Sequence, residues 1–323
     1  MSSGSETQQI HRVEMPHEYA GQRIDVALSG LFPGLSRSRI QAAIKEGGVD
    51  VDGRRCRRNK DRVSGGELIT MRLVTRPEVS WRAQALALNV VYSDQDVIVV
   101  NKPPGLVCHP AAGNPDGTLV NALLHYAPEL ATLPRAGLVH RLDKDTSGLL
   151  VVARSLLAHQ RLVTQLQQRC MTRQYCAVVY GTVTGSGTVT APIARHPVDR
   201  QRMAVVKGGR YAVTHYHCSE RLGPVSRLRI RLETGRTHQI RVHMAHIRHP
   251  VVGDPVYGGR RALARSVDER LRRLLAAFPR QALHAERLVF NHPRNHEAMM
   301  FHAPLPEDML ALLAGVRETG DHG

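Results

Sequence analysis

The spacing of apolar residues predicts two structurally different regions along the chain. Near the N-terminus, two short segments carry apolar residues at every third or fourth position, the spacing of one helix face. These residues are Ile24, Ala27, Leu28 and Leu31 in the first segment, and Ile40, Ala43 and Ile44 in the second. Two segments of alternating apolar and polar residues follow, "VDVDG" and "ELITMRL". The pattern predicts a small unit of two helices and a β-hairpin.

From about Leu88 onward, strand-like and helix-like segments interleave. The strand-like segments include "VVYSDQDVIVVNK", "GLLVVARS", "QYCAVVYG" and "RLRIRLETG". The helix-like segments are "TLVNALLHYAPEL", "LAHQRLVTQLQQRC" and "THQIRVHMAHIRH". Hairpin-like returns such as "GTVTGSGTVTAPI" favour a mixed, largely antiparallel sheet over a doubly wound parallel one. We therefore predict an α+β fold for this region.

These patterns divide the chain into five predicted segments. Residues 1–17 carry no apolar core and are predicted to be a flexible tail, whereas residues 18–74 form the small N-terminal unit. Residues 75–87 are rich in polar residues and include a proline, and they are predicted to be a linker. Residues 88–314 form the larger unit, and residues 315–323 are predicted to be a frayed tail.

The charge of the chain indicates a polyanionic partner. Lysine and arginine number 44 against 28 aspartate and glutamate residues, which gives a net charge of +16 at pH 7. An excess of this size is typical of proteins that bind nucleic acid. Aromatic residues make up only 4% of the chain, too few for a surface that holds single strands by stacking their bases. We therefore predict contacts with folded RNA or duplex, made through phosphates and shape.

Part of this charge is concentrated in the small N-terminal unit. Its predicted RNA-binding residues are Arg37, Arg39, Lys45, Arg54, Arg55, Arg57, Arg58 and Lys60. Through the order of "RIDVAL", "SRSRI" and "GGVDVDG", the unit resembles the αL-motif RNA-binding domain of ribosomal protein S4. The resemblance covers about fifty residues and implies that this unit binds RNA.

The remaining composition excludes several classes of protein. The five cysteines form no CxxC pair, so neither a disulfide scaffold nor a structural zinc site is expected. No apolar stretch approaches the roughly 18 residues of a membrane span. The N-terminus lacks the apolar core of a signal peptide. We expect a cytoplasmic protein without a membrane partner.

The segment "HRLDKDTSGLLVVA" carries two carboxylates, Asp143 and Asp145, directly before an apolar strand. An EF-hand calcium loop would place a glutamate at its twelfth position, where Arg154 stands. A DxDx[TV] phosphotransfer motif would follow an apolar strand, but charged residues precede these aspartates and no Walker-type loop is present. A further interpretation makes one of these residues, Asp143, a lone catalytic carboxylate flanked by arginine. Asp145, which precedes Thr146 and Ser147, suits an ordinary turn.

The segment "HQIRVHMAHIRH" is dense enough in histidine to invite a zinc interpretation. An HExxH motif is absent, and no cysteine or carboxylate lies at ligand spacing nearby. Arg241 and Arg248 would repel a cation. We therefore predict no metal site and no cofactor.

Four motifs in series resemble the RluA family of pseudouridine synthases. They are "NKPPGLVCHP", "HRLDKDTSGLLVVA", "YCAVVYG" and "RLETGRTHQIRVHMAHIRHPVVGDPVYGG". The resemblance extends from Val90 to about Leu313, and "PRAGLVHRLDKDTSG" and "QALHAERL" are similar to its RluD-like branch. It implies a catalytic domain of the pseudouridine-synthase type. It also implies isomerisation of uridine in large-subunit ribosomal RNA without a metal or cofactor.

The resemblance implies catalytic roles for three residues. Asp143 matches the family's catalytic aspartate, which acts either as a nucleophile at the ribose or as a base at C2′. Arg241 matches the arginine that offsets the cost of enclosing this carboxylate in a pocket. Tyr175 matches the tyrosine that stacks on the uracil and helps to remove the C5 proton.

Further residues are implied to contact the substrate. The target uridine must leave its helical stack at a cost of about a few kcal/mol. Arg141 matches the position that fills the gap left in the RNA, and Arg236 is suited to a phosphate contact or a structural role. His140, Asn101 and Lys102 are predicted to line the same cleft.

Two alternatives stay open at the level of the sequence. A related enzyme would act on another rRNA position or on tRNA, and a non-catalytic ribosome-assembly factor would use the same fold only to bind RNA. The presence of Asp143, Tyr175 and Arg241 together favours an enzyme. The expected partner is ribosomal RNA, free or in an assembling particle, and no obligatory protein partner is evident.

Overall fold

The structure, a computed structural model, divides the chain into two units, residues Met1–Ser80 and Trp81–Gly323. The residues it describes are 7–32, 35, 37–75, 81–111, 113–258 and 267–320. No helix within these ranges has both the length and the apolar character needed to cross a membrane.

The first unit is a four-stranded antiparallel sheet with two short helices. Its elements are β1 (Thr7–Glu14), α1 (Ile24–Leu31), α2 (Arg37–Lys45), β2 (Val49–Val51), β3 (Arg54–Arg55) and β4 (Leu68–Thr75). The strand order is β1-β4-β2-β3. The apolar helix positions form a core with the sheet, and Ile24, Leu28, Ile40, Ile44 and Met71 are completely buried. The predicted helices and hairpin are confirmed.

The flexible tail predicted for residues 1–17 is wrong for Thr7–Glu14. This segment pairs with β4 along its whole length, from Thr7 opposite Thr75 to Glu14 opposite Leu68. An edge strand is held by backbone hydrogen bonds and does not need a regular apolar pattern. Its mostly polar sequence, "TQQIHRVE", therefore gave little signal.

The second unit is built on a nine-stranded sheet in the order β5-β6-β7-β14-β8-β13-β12-β9, with β15 paired to β14. The sheet strands are β5 (Val90–Ser93), β6 (Val97–Lys102), β7 (Ser147–Ala153), β8 (Thr172–Tyr180), β9 (Ser186–Thr190), β12 (Val213–Leu222), β13 (Val225–Leu232), β14 (Leu283–Asn291) and β15 (Ala298–His302). A separate pair is formed by β10 (Ile193–Arg195) and β11 (Met203–Val205). Only the β7–β14 pairing is parallel among the described strands, which confirms a mixed, largely antiparallel α+β fold.

Helices cover both faces of this sheet. They are α3 (Leu119–Tyr126), α4 (Leu156–Gln167), α5 (Gln239–His246), α6 (Glu269–Ala277) and α7 (Glu307–Gly320). Along β6, Ile98 and Val100 pack in the cluster that contains α3, whereas Val97 and Val99 pack in the cluster that contains α4. Successive strand residues point to opposite faces, so an unbroken apolar run is what a strand covered on both sides requires.

Two segments at the ends of the second unit differ from their predictions. In the predicted linker, two residues contact the rest of the second unit: the ring of Trp81 lies 4.5 Å from that of His109, and the backbone N–H of Gln84 donates to the carbonyl of Asn121. At the other end, the predicted tail of residues 315–323 continues α7 as far as Gly320, with Val316 buried. The partly buried Trp81 anchors the first of these polar stretches and the buried Val316 anchors the second, and a single apolar residue gives no periodic signal.

A test of this architecture concerns Gly148, which lies at the parallel pairing of β7 with β14. Its φ is +113°, and an added Cβ would lie 2.3 Å from the carbonyl oxygen of Ala285. We expect Gly148→Ala to lower the free energy of unfolding by about 2 kcal/mol or more, measured from urea denaturation midpoints. The control is Gly223→Ala, where φ is +59° and no atom lies within 4 Å. We expect a cost of about 1 kcal/mol there. Equal losses in the two variants would contradict the pairing.

Candidate active site

A cleft of about 970 Å³ opens in the second unit. It is bounded by the loop that precedes β7, by β8, and by the turn between β13 and α5. Many basic side chains line it, whereas its lining carboxylates are Asp143 and Glu233. This imbalance suits a polyanionic ligand.

The loop that carries Asp143 is held through three consecutive backbone carbonyls. The carbonyl of Asp143 accepts from the backbone N–H of Thr146 at 3.1 Å. The carbonyl of Lys144 accepts from the Lys102 ammonium at 2.8 Å, and that of Asp145 accepts from Arg280 Nη1 at 3.0 Å. A loop tied at each residue positions its side chains before any ligand binds.

Asp143 directs its carboxylate toward Arg241. Its Oδ2 accepts from Arg241 Nη1 at 3.0 Å, and its side chain is 16% exposed. Its Oδ1 lies 4.0 Å from His238 Nε2 and accepts no hydrogen bond from the described residues. One carboxylate oxygen is therefore fixed by a charged partner, and the other remains available to a ligand in the cleft.

Arg241 lies on α5 and is fixed by a second carboxylate. Its Nε and Nη2 donate to Asp254 Oδ2 and Oδ1 at 2.6 and 2.9 Å. Its guanidinium carbon lies 5.0 Å from the centre of the Tyr257 ring. Burial works against the charge, but the carboxylates of Asp254 and Asp143 raise the pKa of Arg241 above its ordinary value.

Asp254 has its own support. Its side chain is completely buried, and its Oδ1 also accepts from the backbone N–H groups of Val256 and Tyr257 at 2.9 and 3.0 Å. Burial would raise the pKa of Asp254, but the hydrogen bonds and charge of Arg241 hold it below its ordinary value. Asp254 is therefore a charged anchor that orients Arg241.

Tyr175 lines the same cleft from β8 and is 5% exposed. Burial raises the pKa of its hydroxyl; the charge of Arg173 opposes that shift and the charge of Asp143 adds to it. The phenol is therefore neutral at physiological pH. The structure thus brings together the three residues predicted to be catalytic: Asp143, Tyr175 and Arg241.

Three of the predicted substrate-binding residues also line the cleft. His140 Nε2 accepts the backbone N–H of Val151 at 3.2 Å, and burial with the charge of Arg173 lowers its pKa to about 3, so the ring is neutral. Arg141 is exposed and forms no ion pair with a described residue. Arg236 donates from Nε to the carbonyl of Tyr211 at 3.0 Å, which leaves its other N–H groups available.

The predicted substrate contact of Lys102 does not agree with its surroundings. Its side chain is completely buried, and its ammonium donates to the carbonyls of Pro103, Leu106 and Lys144 at 2.8–2.9 Å. Burial lowers its pKa to about 8. Since all three donors are used, Lys102 supports the loop and has none left for a ligand. Asn101, its neighbour on β6, is not among the residues that line the cleft.

The sequence did not single out Asp254, Tyr257 or a role for His238. Asp254 had a usable signal, since it is the only carboxylate between Glu233 and Asp268. His238 faces Asp143, and its Nδ1 lies 2.8 Å from the Tyr257 hydroxyl. That hydroxyl in turn accepts the backbone N–H of Met203 at 2.9 Å. These contacts depend on β11, which is distant in sequence from His238, and they left no local pattern.

In the first unit, most of the predicted RNA-binding side chains are exposed. They are Arg37, Lys45, Arg54, Arg55, Arg57, Arg58 and Lys60, whereas Arg39 is partly buried. Arg37 also donates to the fully buried carboxylate of Asp25, at 2.9 Å from Nη2. Arg37 therefore helps to hold α1 and α2 together, and it does so from a half-exposed position.

One cluster in the described part of the chain has metal-ligand spacing. Ligand atoms of Asp94, Asp96 and His292 lie within 4.8 Å of one another. Asp96 is already paired with Arg294 through two hydrogen bonds of 2.6 and 3.0 Å. Asp94 accepts two backbone N–H groups, at 2.7 Å each, and the Tyr92 hydroxyl. These contacts account for the cluster, which lies outside the cleft lining.

Comparison with known proteins agrees with this geometry. Residues 96–246 match the RNA pseudouridylate synthase family, and residues 22–69 match the S4 domain. The structure is similar to that of human RNA pseudouridylate synthase domain containing 4, with a TM-score of 0.57 and 23% identity. That likeness covers 71% of this chain and 93% of the human one and shows the shared fold.

Sequence relatives extend over almost the whole chain. The ribosomal large subunit pseudouridine synthase D of Escherichia coli O157:H7 is 52% identical over 297 residues, which cover 92% of this chain and 91% of the relative. The protein of the same name from Pseudomonas aeruginosa is 50% identical over 305 residues, covering 94% and 95%. The chain therefore belongs to the RluA family of pseudouridine synthases, isomerases that convert uridine to pseudouridine in RNA.

Proposed function

We propose that this enzyme converts uridine to pseudouridine in large-subunit ribosomal RNA, with Asp143 as the carboxylate that acts on the ribose. The observation that carries the proposal is the ion-paired Asp143 carboxylate, with one free oxygen, in a basic cleft that also holds Tyr175. The choice of ribosomal RNA is supported by the relatives, which are named for the ribosomal large subunit. A cytoplasmic location belongs to the same proposal.

The reaction is an isomerisation and needs no external reactant. The bond from ribose C1′ to uracil N1 breaks, the uracil rotates while it is bound, and C5 bonds to C1′. The proton on C5 is then lost, and N1 gains one. Asp143 acts either by attacking C1′ or by removing a proton from C2′, and both routes require the carboxylate in its charged form.

Arg241 stabilises that charged form from 3.0 Å away. Asp254 accepts hydrogen bonds from two nitrogens of Arg241, Nε and Nη2. The guanidinium is therefore fixed in orientation when the substrate binds, and it holds Asp143 in place. Asp254 is a positioning residue, because it acts on the reaction only through Arg241. Fixed dipoles and charges of this kind cost no reorganisation when the reaction begins.

Three further cleft residues are assigned to contacts with the RNA. Tyr175 stacks on the uracil and assists removal of the C5 proton. Arg141, exposed beside Asp143, enters the space that the uridine leaves in its helix. Arg236 offers free N–H groups to a phosphate. The neutral His140 supports the strand behind them through Val151.

The proposed function is tested by mapping pseudouridines in the RNA of a strain that lacks this gene. We expect specific uridines of large-subunit rRNA to stay unmodified and to be converted again when the wild-type protein is supplied. Loss of pseudouridine from tRNA alone, or from no RNA, would contradict the proposed substrate.

The first prediction concerns the catalytic carboxylate. We expect Asp143→Asn to abolish pseudouridine formation while the Kd for rRNA stays within about threefold, because the contacts to phosphates remain. The control is Asp145→Asn, a carboxylate outside the cleft lining whose backbone carbonyl, not its side chain, accepts from Arg280. We expect that variant to retain activity. Full turnover by Asp143→Asn would refute the assignment.

A second prediction separates positioning from binding. We expect Asp254→Asn to lower kcat about 100-fold, with little change in KM for rRNA, because Arg241 loses its orientation. The free energy of unfolding should fall by about 3–5 kcal/mol, since a buried charge is left half paired. Glu220→Gln, which breaks an exposed pair with Arg317, should cost less than about 1 kcal/mol and leave kcat unchanged. A normal kcat in Asp254→Asn would count against the role of Asp254.

A third prediction concerns the basic surface of the first unit. We expect the double variant Arg57→Gln, Arg58→Gln to reduce the salt dependence of rRNA binding, with the slope of log K against log salt smaller by about 1–2. The matched control is Arg270→Gln, Arg273→Gln, which removes the same charge from exposed positions on α6. An equal change of slope in both double variants would show that only net charge matters.

A further inference from the structure

Arg173 is a buried arginine that the catalytic roles above do not use. In the described part of the chain, three arginines are less than one-tenth exposed: Arg173, Arg241 and Arg280. Arg241 is neutralised by Asp254 and Asp143, and Arg280 by a two-bond pair with Asp308. Arg173 has no such partner.

The guanidinium of Arg173 has one nitrogen without a partner and no counter-charge among the described residues. The residue is 8% exposed, its Nε is buried without a hydrogen-bond partner, and it forms no ion pair with a described residue. Burial lowers its pKa below the ordinary value for arginine. An arginine nevertheless keeps its proton in proteins, so the free enzyme holds an uncompensated charge at this position. A ligand that supplies the missing partner is one reason for a natural chain to retain such a group.

The position of Arg173 points to a ligand inside the catalytic cleft. It lies on β8 two residues before Tyr175, so both side chains project from the same face of the strand, and both line the cleft. On the far side, Gly235 comes close to the guanidinium, since a Cβ there would lie 2.8 Å from Arg173 Nη1. The chain then continues into the start of α5, and the N-terminal end of a helix also favours an anion.

A phosphate matches these requirements better than a base. A uracil carbonyl is neutral and would leave the guanidinium charge uncompensated, whereas a phosphate carries a full charge and fits the guanidinium with two parallel hydrogen bonds. A nucleotide that turns out into the cleft brings its own phosphates with it. The two lining carboxylates do not compete, because neither Asp143 nor Glu233 is paired with Arg173.

We propose that Arg173 binds a phosphate of the target nucleotide and is kept without a carboxylate partner so that it can do so. The inference rests on the proposed RNA substrate and adds a residue to its binding site. It predicts that Arg173 lowers the stability of the free enzyme and strengthens RNA binding. The unpaired buried charge destabilises the free enzyme, and a phosphate of the RNA neutralises that charge.

Two measurements on free and RNA-bound protein test this opposition. We expect Arg173→Gln to raise Tm by about 2–4 °C, because the buried charge is gone. In an Asp143→Asn background, the same change should weaken binding of a substrate stem-loop about tenfold. The control Arg229→Gln removes an exposed arginine of β13 that does not line the cleft, and it should change neither quantity. A fall in Tm with unchanged affinity would identify Arg173 as a structural residue and overturn the proposal.

Inorganic phosphate provides a test without RNA. At constant ionic strength, phosphate should raise the Tm of the wild type and of Arg229→Gln by more than it raises that of Arg173→Gln. Its general stabilising effect is common to all three and cancels in the difference. Equal shifts would overturn the anion site. This arm stays decisive even if the wild type modifies no ribosomal RNA, an outcome that would refute the proposed function separately.

Methylphosphonate substitution identifies the phosphate, and its first comparison uses the wild-type protein alone. Removing the charge of one phosphate at the target nucleotide should weaken binding to the wild type about tenfold. It should weaken binding to Arg173→Gln no further, and Arg173→Lys, which keeps the charge but not the two-bond geometry, should fall between them. The same loss in the wild type and in Arg173→Gln would show that another residue binds that phosphate.

Discussion

The guanidinium of Arg241, fixed between Asp254 and Asp143, is the interaction on which the chemistry of this enzyme depends. A carboxylate in a cleft needs a cation to remain charged, and a cation in the same place needs its own counter-charge. Asp254 supplies that counter-charge through two hydrogen bonds of 2.6 and 2.9 Å and is itself held by backbone N–H groups. The remaining nitrogen of the guanidinium, Nη1, donates to Asp143. The order of these contacts makes Asp254 the anchor, Arg241 the connector and Asp143 the reactive end.

The fold delivers Asp143 to this connector by restraining a short loop from several elements. Lys102 reaches it from the end of β6 and Arg280 from the segment before β14, so elements far apart in sequence determine the position of one side chain. Gly148 lets β7 approach β14 directly after the loop. The completely buried Lys102 ammonium is costly to desolvate, and its three backbone carbonyl partners offset that cost. Lys102, which the sequence placed in the substrate site, is therefore support for the backbone.

The sequence predicted the elements with strong apolar periodicity and the residues that belong to long motifs. The α+β class, the helices α1 and α2, and the meeting of Asp143, Tyr175 and Arg241 followed from such patterns. It missed β1, because an edge strand is held by its backbone and "TQQIHRVE" has no regular apolar face. It placed Lys102 in the substrate site, because a lysine in a motif says nothing about which way its ammonium points. The role of Asp254 follows from its contact with Arg241, and that of Arg173 from the lack of a partner for its Nε. Neither can be read from the sequence.

The central claim is that the Asp143 carboxylate, held by Arg241, is the group that meets the ribose. The most direct measurement is a crystal structure of the Asp143→Asn variant with a substrate stem-loop that the wild-type enzyme converts. We expect the target uridine to be turned out into the cleft, with ribose C1′ or C2′ within about 3.5 Å of the side chain at position 143. A uridine that stays stacked in the RNA, or one bound with its ribose beyond reach of that side chain, would contradict it.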